Sequence, residues 1–383
     1  MGNYNYTLDL SENTSIFINI LRIFAIHTIT ICHGLVIIGK MKFDNPIGVS
    51  GFNFLMLISG LLIAHSIFKR KSDERYDYKR YFLRRFSRIY PVLLVGFIII
   101  IIFDRLNNYK FLEHFDTFLI NILLLNDSAL GYSYYGSSFH LWFLPLFWYL
   151  YLFFGWLLLG LRTTKRNYFL YVIILGFFSL IIVLICLGTK TNKKINYIII
   201  WLLSASFTLF MNKLYKKIKE NSTKNGKIEN ETAEKIKKKV KYSSFAISAL
   251  LFILALSRGI YFQFENPYEL IYNLFLAGAI LFFLLFSQYT EFIFPKKIKK
   301  LLHFLASYSF TLFLIHLAVF SFLLKPFDRI FYFILIYIGV NFLSIAIAYI
   351  TEFRSNKIYH FLLRIFKLEK VTNEKFKLKE KKS

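Results

Sequence analysis

Apolar positions in this chain come in long uninterrupted blocks, and the polar positions gather in short stretches between them. Ten blocks fall at roughly 17–38, 47–68, 87–103, 139–161, 167–188, 195–211, 243–262, 268–287, 301–324 and 330–351. Most are close to the 20 or so residues that cross about 30 Å of hydrocarbon as an α-helix. In that medium the backbone must satisfy its own hydrogen bonds, so the pattern predicts an all-α polytopic membrane protein with about ten transmembrane helices. An eleventh apolar piece, "FLINILLLN" at 118–126, is too brief to cross. It predicts a re-entrant or interfacial segment.

Charge sets the orientation. The chain carries 48 Lys+Arg against 22 Asp+Glu, a formal charge of +26 over 383 residues. Such an excess on a soluble surface would point to nucleic acid, but here the cations lie between the apolar blocks, which argues against nucleic-acid binding. With the N-terminus in the cytoplasm, 37 Lys and Arg fall on the cytoplasmic side and 9 on the other. The bias predicts N-in and C-in topology in the cytoplasmic (inner) membrane of the cell. Two basic segments stand outside the blocks: a Lys-rich loop at 213–241 and a cytoplasmic tail at 354–383, expected to lie on anionic membrane lipids. Cys32 and Cys186 are the only cysteines, which excludes a disulfide framework and a paired-cysteine metal site. The first basic residue is Arg22, so the start lacks the charged opening of a secretory signal, and the first helix is expected to stay attached.

Within these blocks a few residues do not belong in hydrocarbon. The first contains "LRIFAIHTITICH", residues 21–33. Arg22 and His33 are separated by about three helical turns, so their side chains fall within roughly 20° of each other and about 16 Å apart along the axis. His27 points roughly 140° away from Arg22 and is left out of this pair. Ionisable groups at such depth serve either function or helix–helix hydrogen bonding, and the spacing alone does not choose. At the head of the third block, "KRYFLRRFSRIYP" (79–91) sets Arg85 and Arg88 at i and i+3, with Arg84 beside them. Guanidinium groups grip phosphate oxygens in pairs, and the block's start is expected to add helix N-terminal N–H groups; ordinary positive-inside anchoring is the competing explanation.

Six strings, taken in order, resemble the signatures of the acyltransferase 3 family of membrane O-acyltransferases. Arg22 and His33 are similar to its R-x10-H pair. "FNFLMLISGLLIAHS" (52–66) resembles its second-helix pattern, with Ser59 and Gly60 in place, and Arg85 and Arg88 match its R-x-x-R. "FHLWFLPLFWYLYL" (139–152) is similar to its His-Leu-Trp motif through His140 and Trp142. "SYSFTLFLIHLAVF" (307–320) resembles its late motif ending in His316, and "AYITEFRS" (348–355) its closing motif with Glu352. The resemblance makes residues 1–353 one acyltransferase transmembrane domain. It implies an acyl-CoA co-substrate, acetyl-CoA foremost, entering from the cytoplasm, no metal, and transfer of the acyl group to a hydroxyl of a cell-surface or lipid-linked glycan or glycolipid.

On that reading His33 is the general base or acyl carrier, Arg22 its partner, and Arg85, Arg88 and Arg84 hold the CoA phosphates. His140 and Trp142 are expected at the outer mouth, with Trp142 as an interface belt residue; His316 is a second buried imidazole, and Ser59 a supporting group. Glu352 is expected to pair with Arg354 or Lys357 at the surface, and Arg258 to meet an anionic acceptor. Two departures stand out. Phe147 occupies a position where many members carry Glu, and the "HLWFL" string is similar to the branch related to fucose O-acetylases. A transporter or flippase of a lipid-linked glycan or anion would use the same buried cations and is the competing function.

Overall fold

The computed structural model describes residues 8–42, 45–71, 73, 75–109, 111–129, 134–188, 191–223, 227–262, 269–324 and 329–368. Among them no strand occurs, and the helices follow one another as α1 (Glu12–Ile37), α2 (Pro46–Arg70), α3 (Tyr78–Leu106), α4 (Phe115–Ile122), α5 (Leu144–Thr163), α6 (Tyr168–Cys186) and α7 (Thr191–Thr223). They continue with α8 (Lys227–Phe262), α9 (Leu270–Gln288), α10 (Lys296–Ser307), α11 (Ser309–Leu323), α12 (Ile330–Ile350) and α13 (Ser355–Ile365). Short 3-10 stretches occupy Leu112–His114, Gly136–Phe143 and Glu352–Arg354. Among the described residues nine helical segments are singly long and apolar enough to cross a bilayer, and α10 with α11, broken at Tyr308, makes a tenth. The protein is therefore a multi-pass, all-α membrane protein, as the blocks predict.

The chain forms two compact units. One gathers residues 1–73, 186–309 and 323–337; the other gathers 74–185, 310–322 and 338–383. In the first, α1 and α2 start from side-chain caps: Ser11 accepts from the Thr14 N–H, and Asn45 accepts from the Gly48 N–H ahead of Pro46. Glycines then let the helices close in. A Cβ on Gly51 would lie 2.9 Å from the Ala25 carbonyl oxygen, and one on Gly60 would collide with the Trp201 carbonyl and the Ser204 hydroxyl. Helices in lipid associate by such close packing, since lipid supplies no hydrophobic drive between them. Gly60→Val is expected to destabilise the fold by about 1–3 kcal/mol through overpacking. A fall in the thermal unfolding midpoint in detergent would register it; an unchanged midpoint would mean that the α2–α7 contact yields.

In the second unit α3 begins on Asp77, whose carboxylate accepts the Arg80 N–H, and runs through Pro91 to Leu106. Pro91 supplies no N–H, so the Ser87 carbonyl, between Arg85 and Arg88, loses its usual helical partner. The Tyr81 ring occupies the space a side chain on Gly155 of α5 would fill. Helix α13 packs Tyr359 and Leu363 against Leu83 and exposes Phe361 and Ile365.

Two segments differ from expectation. Residues 213–223 and 227–241, read as a loop, continue the helices α7 and α8. The 33 residues of α7 amount to about 50 Å, more than a bilayer's hydrocarbon needs, and Lys216–Glu220 and Lys237–Glu234 pairs at helical spacing support the overhang. In the tail at 354–383, the first part is the packed helix α13. Residues 369–383 lie outside the described residues. The piece at 118–126 proves to be the end of the short helix α4 and the turn after it, in keeping with a segment that does not cross.

Candidate functional site

In the first unit, His33 lies on the packed side of α1, which also buries Ala25, Ile29 and Cys32, while Arg22 is half-buried. The His33 ring is 6.5 Å from that of Phe52, which is in turn 6.4 Å from Tyr197. His27 is held elsewhere: a ring nitrogen meets the Tyr337 hydroxyl at 2.5 Å. Ser59 accepts the indole N–H of Trp201 at 3.0 Å, a bond next to the Gly60 crossing, so its visible work is to fix α2 on α7. Arg258, expected to meet an anionic acceptor, has a carboxylate partner within the protein. It is ion-paired to Glu269 at 2.8 Å, and Glu269 also caps α9 through the Tyr272 N–H, so the carboxylate is fixed where the guanidinium reaches it.

In the second unit the arginines separate by direction. Arg84 turns to α13 and lies 4.5 Å from the Tyr359 ring centre, a cation–π contact. Arg85 is buried, 5.4 Å from the Tyr81 ring centre. Arg88, three residues on, is exposed. Arg85 and Arg88 are close enough for their like charges to act on each other. One expectation needs correcting: these arginines are not at the helix N-terminus. The helix starts at Tyr78, about two turns earlier, where the Asp77 carboxylate accepts the Arg80 N–H and the Thr163 hydroxyl accepts the Tyr78 N–H. Any phosphate there would be held by guanidinium groups without the helix end.

Glu352 also departs from expectation. It accepts from the Thr311 N–H at 3.1 Å and the Thr311 hydroxyl at 2.6 Å, and its charge acts on Arg88. Arg354 instead lies over the Tyr349 ring. The 3-10 turn at Glu352–Arg354 points the acid back towards the start of α11, away from the cations next to it in sequence.

His140 and Trp142 are buried, not placed at an open mouth or belt. The 3-10 stretch that carries them packs inward, and the His140 ring meets the Phe313 carbonyl through Nε2 at 3.0 Å and the Ser137 carbonyl through Nδ1 at 3.3 Å. Its ring is 4.9 Å from that of His316, which is fully buried on α11. His316 Nδ1 lies 2.8 Å from the same Phe313 carbonyl, and a carbonyl only accepts, so Nδ1 carries the proton and Nε2 is the basic nitrogen. Phe147 packs between Phe143 and Tyr151, an apolar contact.

Sequence reasoning missed Asp104. This carboxylate at the end of α3 is buried and accepts the Ser137 N–H at 3.0 Å. Its signal was present, an acid at the end of an apolar block, but Arg105 beside it reads as an ordinary boundary pair.

Residues 15–353 match the family model described as an acyltransferase domain. No curated protein and no solved structure matches the chain.

Proposed function

The chain belongs to the acyltransferase domain family, and from that premise we propose that it is an O-acyltransferase of the cytoplasmic membrane, moving an acetyl group from acetyl-CoA on the cytoplasmic side to a hydroxyl of a surface or lipid-linked glycan. The observation that carries the reading is the match over residues 15–353, which takes in all of the motif-bearing helices. The "HLWFL" string favours the branch related to fucose O-acetylases.

In the proposed reaction neutral His33 removes the acceptor's hydroxyl proton as the oxygen attacks the thioester carbonyl. The carbon–sulfur bond then breaks, and the imidazolium returns the proton to the departing CoA thiolate. Arg22, on the same side of α1, orients the imidazole or meets the pantetheine arm. Arg85 and Arg88 hold CoA phosphate. Support for that role is electrostatic: two guanidinium groups lie within reach of each other, with the single Glu352 charge acting on Arg88, and paired guanidinium groups suit phosphate oxygens.

Glu352 partly neutralises Arg88. Glu352→Gln keeps an acceptor for the Thr311 hydroxyl and removes the charge, so acyl-CoA is expected to bind about two- to fivefold more tightly at low salt, with the gain fading as salt rises. Weaker binding in a titration with labelled acetyl-CoA would mean instead that the carboxylate orients the arginine.

The proposed activity is tested with purified protein, labelled acetyl-CoA and an envelope fraction from the source cell. Label in a glycan bears the reading out. Movement of a lipid-linked glycan across vesicles without any acyl transfer would replace it with transport.

A further inference from the structure

At the end of α3 opposite the arginines stands the buried carboxylate of Asp104. Asp104 lies 16 residues past Arg88, about 24 Å along the helix. Among the described residues no cation faces its carboxylate, which accepts the Ser137 N–H; the Ser137 hydroxyl beside it is buried without a hydrogen-bond partner among the described residues. A buried carboxylate without a counter-ion is costly in a membrane protein and has lone pairs to spare. The chain makes room for it: Gly136 adopts φ +47°, and a Cβ there would collide with the Asp104 carboxylate.

Behind the acid stand two more buried polar groups. Ser138 donates to the Asn121 side-chain carbonyl at 3.2 Å, and the Asn121 amide nitrogen is bonded to the Thr117 carbonyl at 2.8 Å. On the same loop the Asn126 amide nitrogen is buried without a hydrogen-bond partner among the described residues. Aromatic rings border the cluster. Tyr109 lies 5.4 Å from Tyr135, and Phe118 lies 5.6 Å from Tyr135. Burial and the nearby Asp104 carboxylate push the Tyr135 phenol up to about 12, so it stays neutral at any physiological pH.

We infer that Asp104, backed by Asn121, Ser137 and Ser138 and edged by Tyr109, binds hydroxyl groups of the glycan acceptor. A carboxylate takes paired hydroxyl donors, an amide completes the hydrogen bonds, and aromatic rings cover the apolar side of a pyranose. Donor and acceptor subsites then sit at opposite ends of α3. This assignment rests on the acyl-transfer reading and concerns only its acceptor half.

Asp104→Asn is nearly isosteric, and its side-chain carbonyl still accepts the Ser137 N–H. With the full-length protein, labelled acetyl-CoA and graded amounts of detergent-extracted envelope glycan, the variant is expected to raise the apparent KM for glycan at least tenfold. Its dissociation constant for labelled acetyl-CoA and its unfolding midpoint stay at wild-type values. Tyr109→Ala, which removes a bordering ring, is expected to act in the same direction and serves if the first variant does not fold. An unchanged KM for glycan would overturn the assignment, as would equal loss of donor and acceptor binding, which marks a folding latch. If the wild-type protein itself transfers no label, the failure belongs to the acyl-transfer reading.

Discussion

His33→Ala is expected to lower acyl transfer by about 10²–10⁴-fold, the usual contribution of a positioned general base. Acetyl-CoA affinity should be nearly unchanged, because the imidazole acts on the acceptor's proton and not on the CoA phosphates. The companion variant decides the geometry. His27 shares the helix and the chemistry but is occupied by the Tyr337 hydroxyl, so His27→Ala should leave turnover within about threefold of wild type. Equal losses in the two variants, measured with labelled acetyl-CoA on protein shown to be folded, would remove the basis for singling out His33. Wild-type turnover by His33→Ala would end its assignment as base.

The second large effect concerns the arginine pair. Changing Arg85 and Arg88 together to lysine preserves charge and removes the planar fork that binds two phosphate oxygens at once. A lost charge-assisted hydrogen bond is worth about 1.5–3 kcal/mol, so acetyl-CoA affinity should fall by roughly 10- to 100-fold. Arg84→Lys should do far less to binding, since that side chain is engaged with Tyr359. Direct titration with labelled acetyl-CoA reads both. If the double variant binds like wild type, the pair anchors the protein in the bilayer and does not hold the donor. If Arg84→Lys matches the double variant, affinity follows the integrity of the α3–α13 contact.

The helices were legible in the sequence because lipid imposes one rule, a continuous apolar run of spanning length, and each of the ten blocks meets a helix. The helix ends were less so. Local polar chemistry extended α3 back to Asp77 and carried α7 and α8 into lysine-rich stretches, where hydropathy reports only the absence of lipid. Site residues were legible by type but not by partner. Glu352 looked destined for the cations two and five positions on, yet a single 3-10 turn gave it to Thr311, 41 residues away in sequence. Trp142 resembled an interface residue because tryptophans often are, and nothing short of the fold indicated that its segment turns inward. Asp104 was hidden by its neighbour: an Asp-Arg step at the end of an apolar run has an ordinary explanation, and only the approach of Gly136 and Ser137 reveals another.

The bonds from Thr311 to Glu352 also fix a length. They close a ring of chain that contains α12, and each residue added to a helix turns the next stretch of backbone by about 100° and advances it by about 1.5 Å. One insertion or deletion in the last turns of α12 would therefore swing the Glu352 carboxylate off the start of α11. This stretch behaves as a ruler, so any drift in size between descendants of the chain must be absorbed elsewhere.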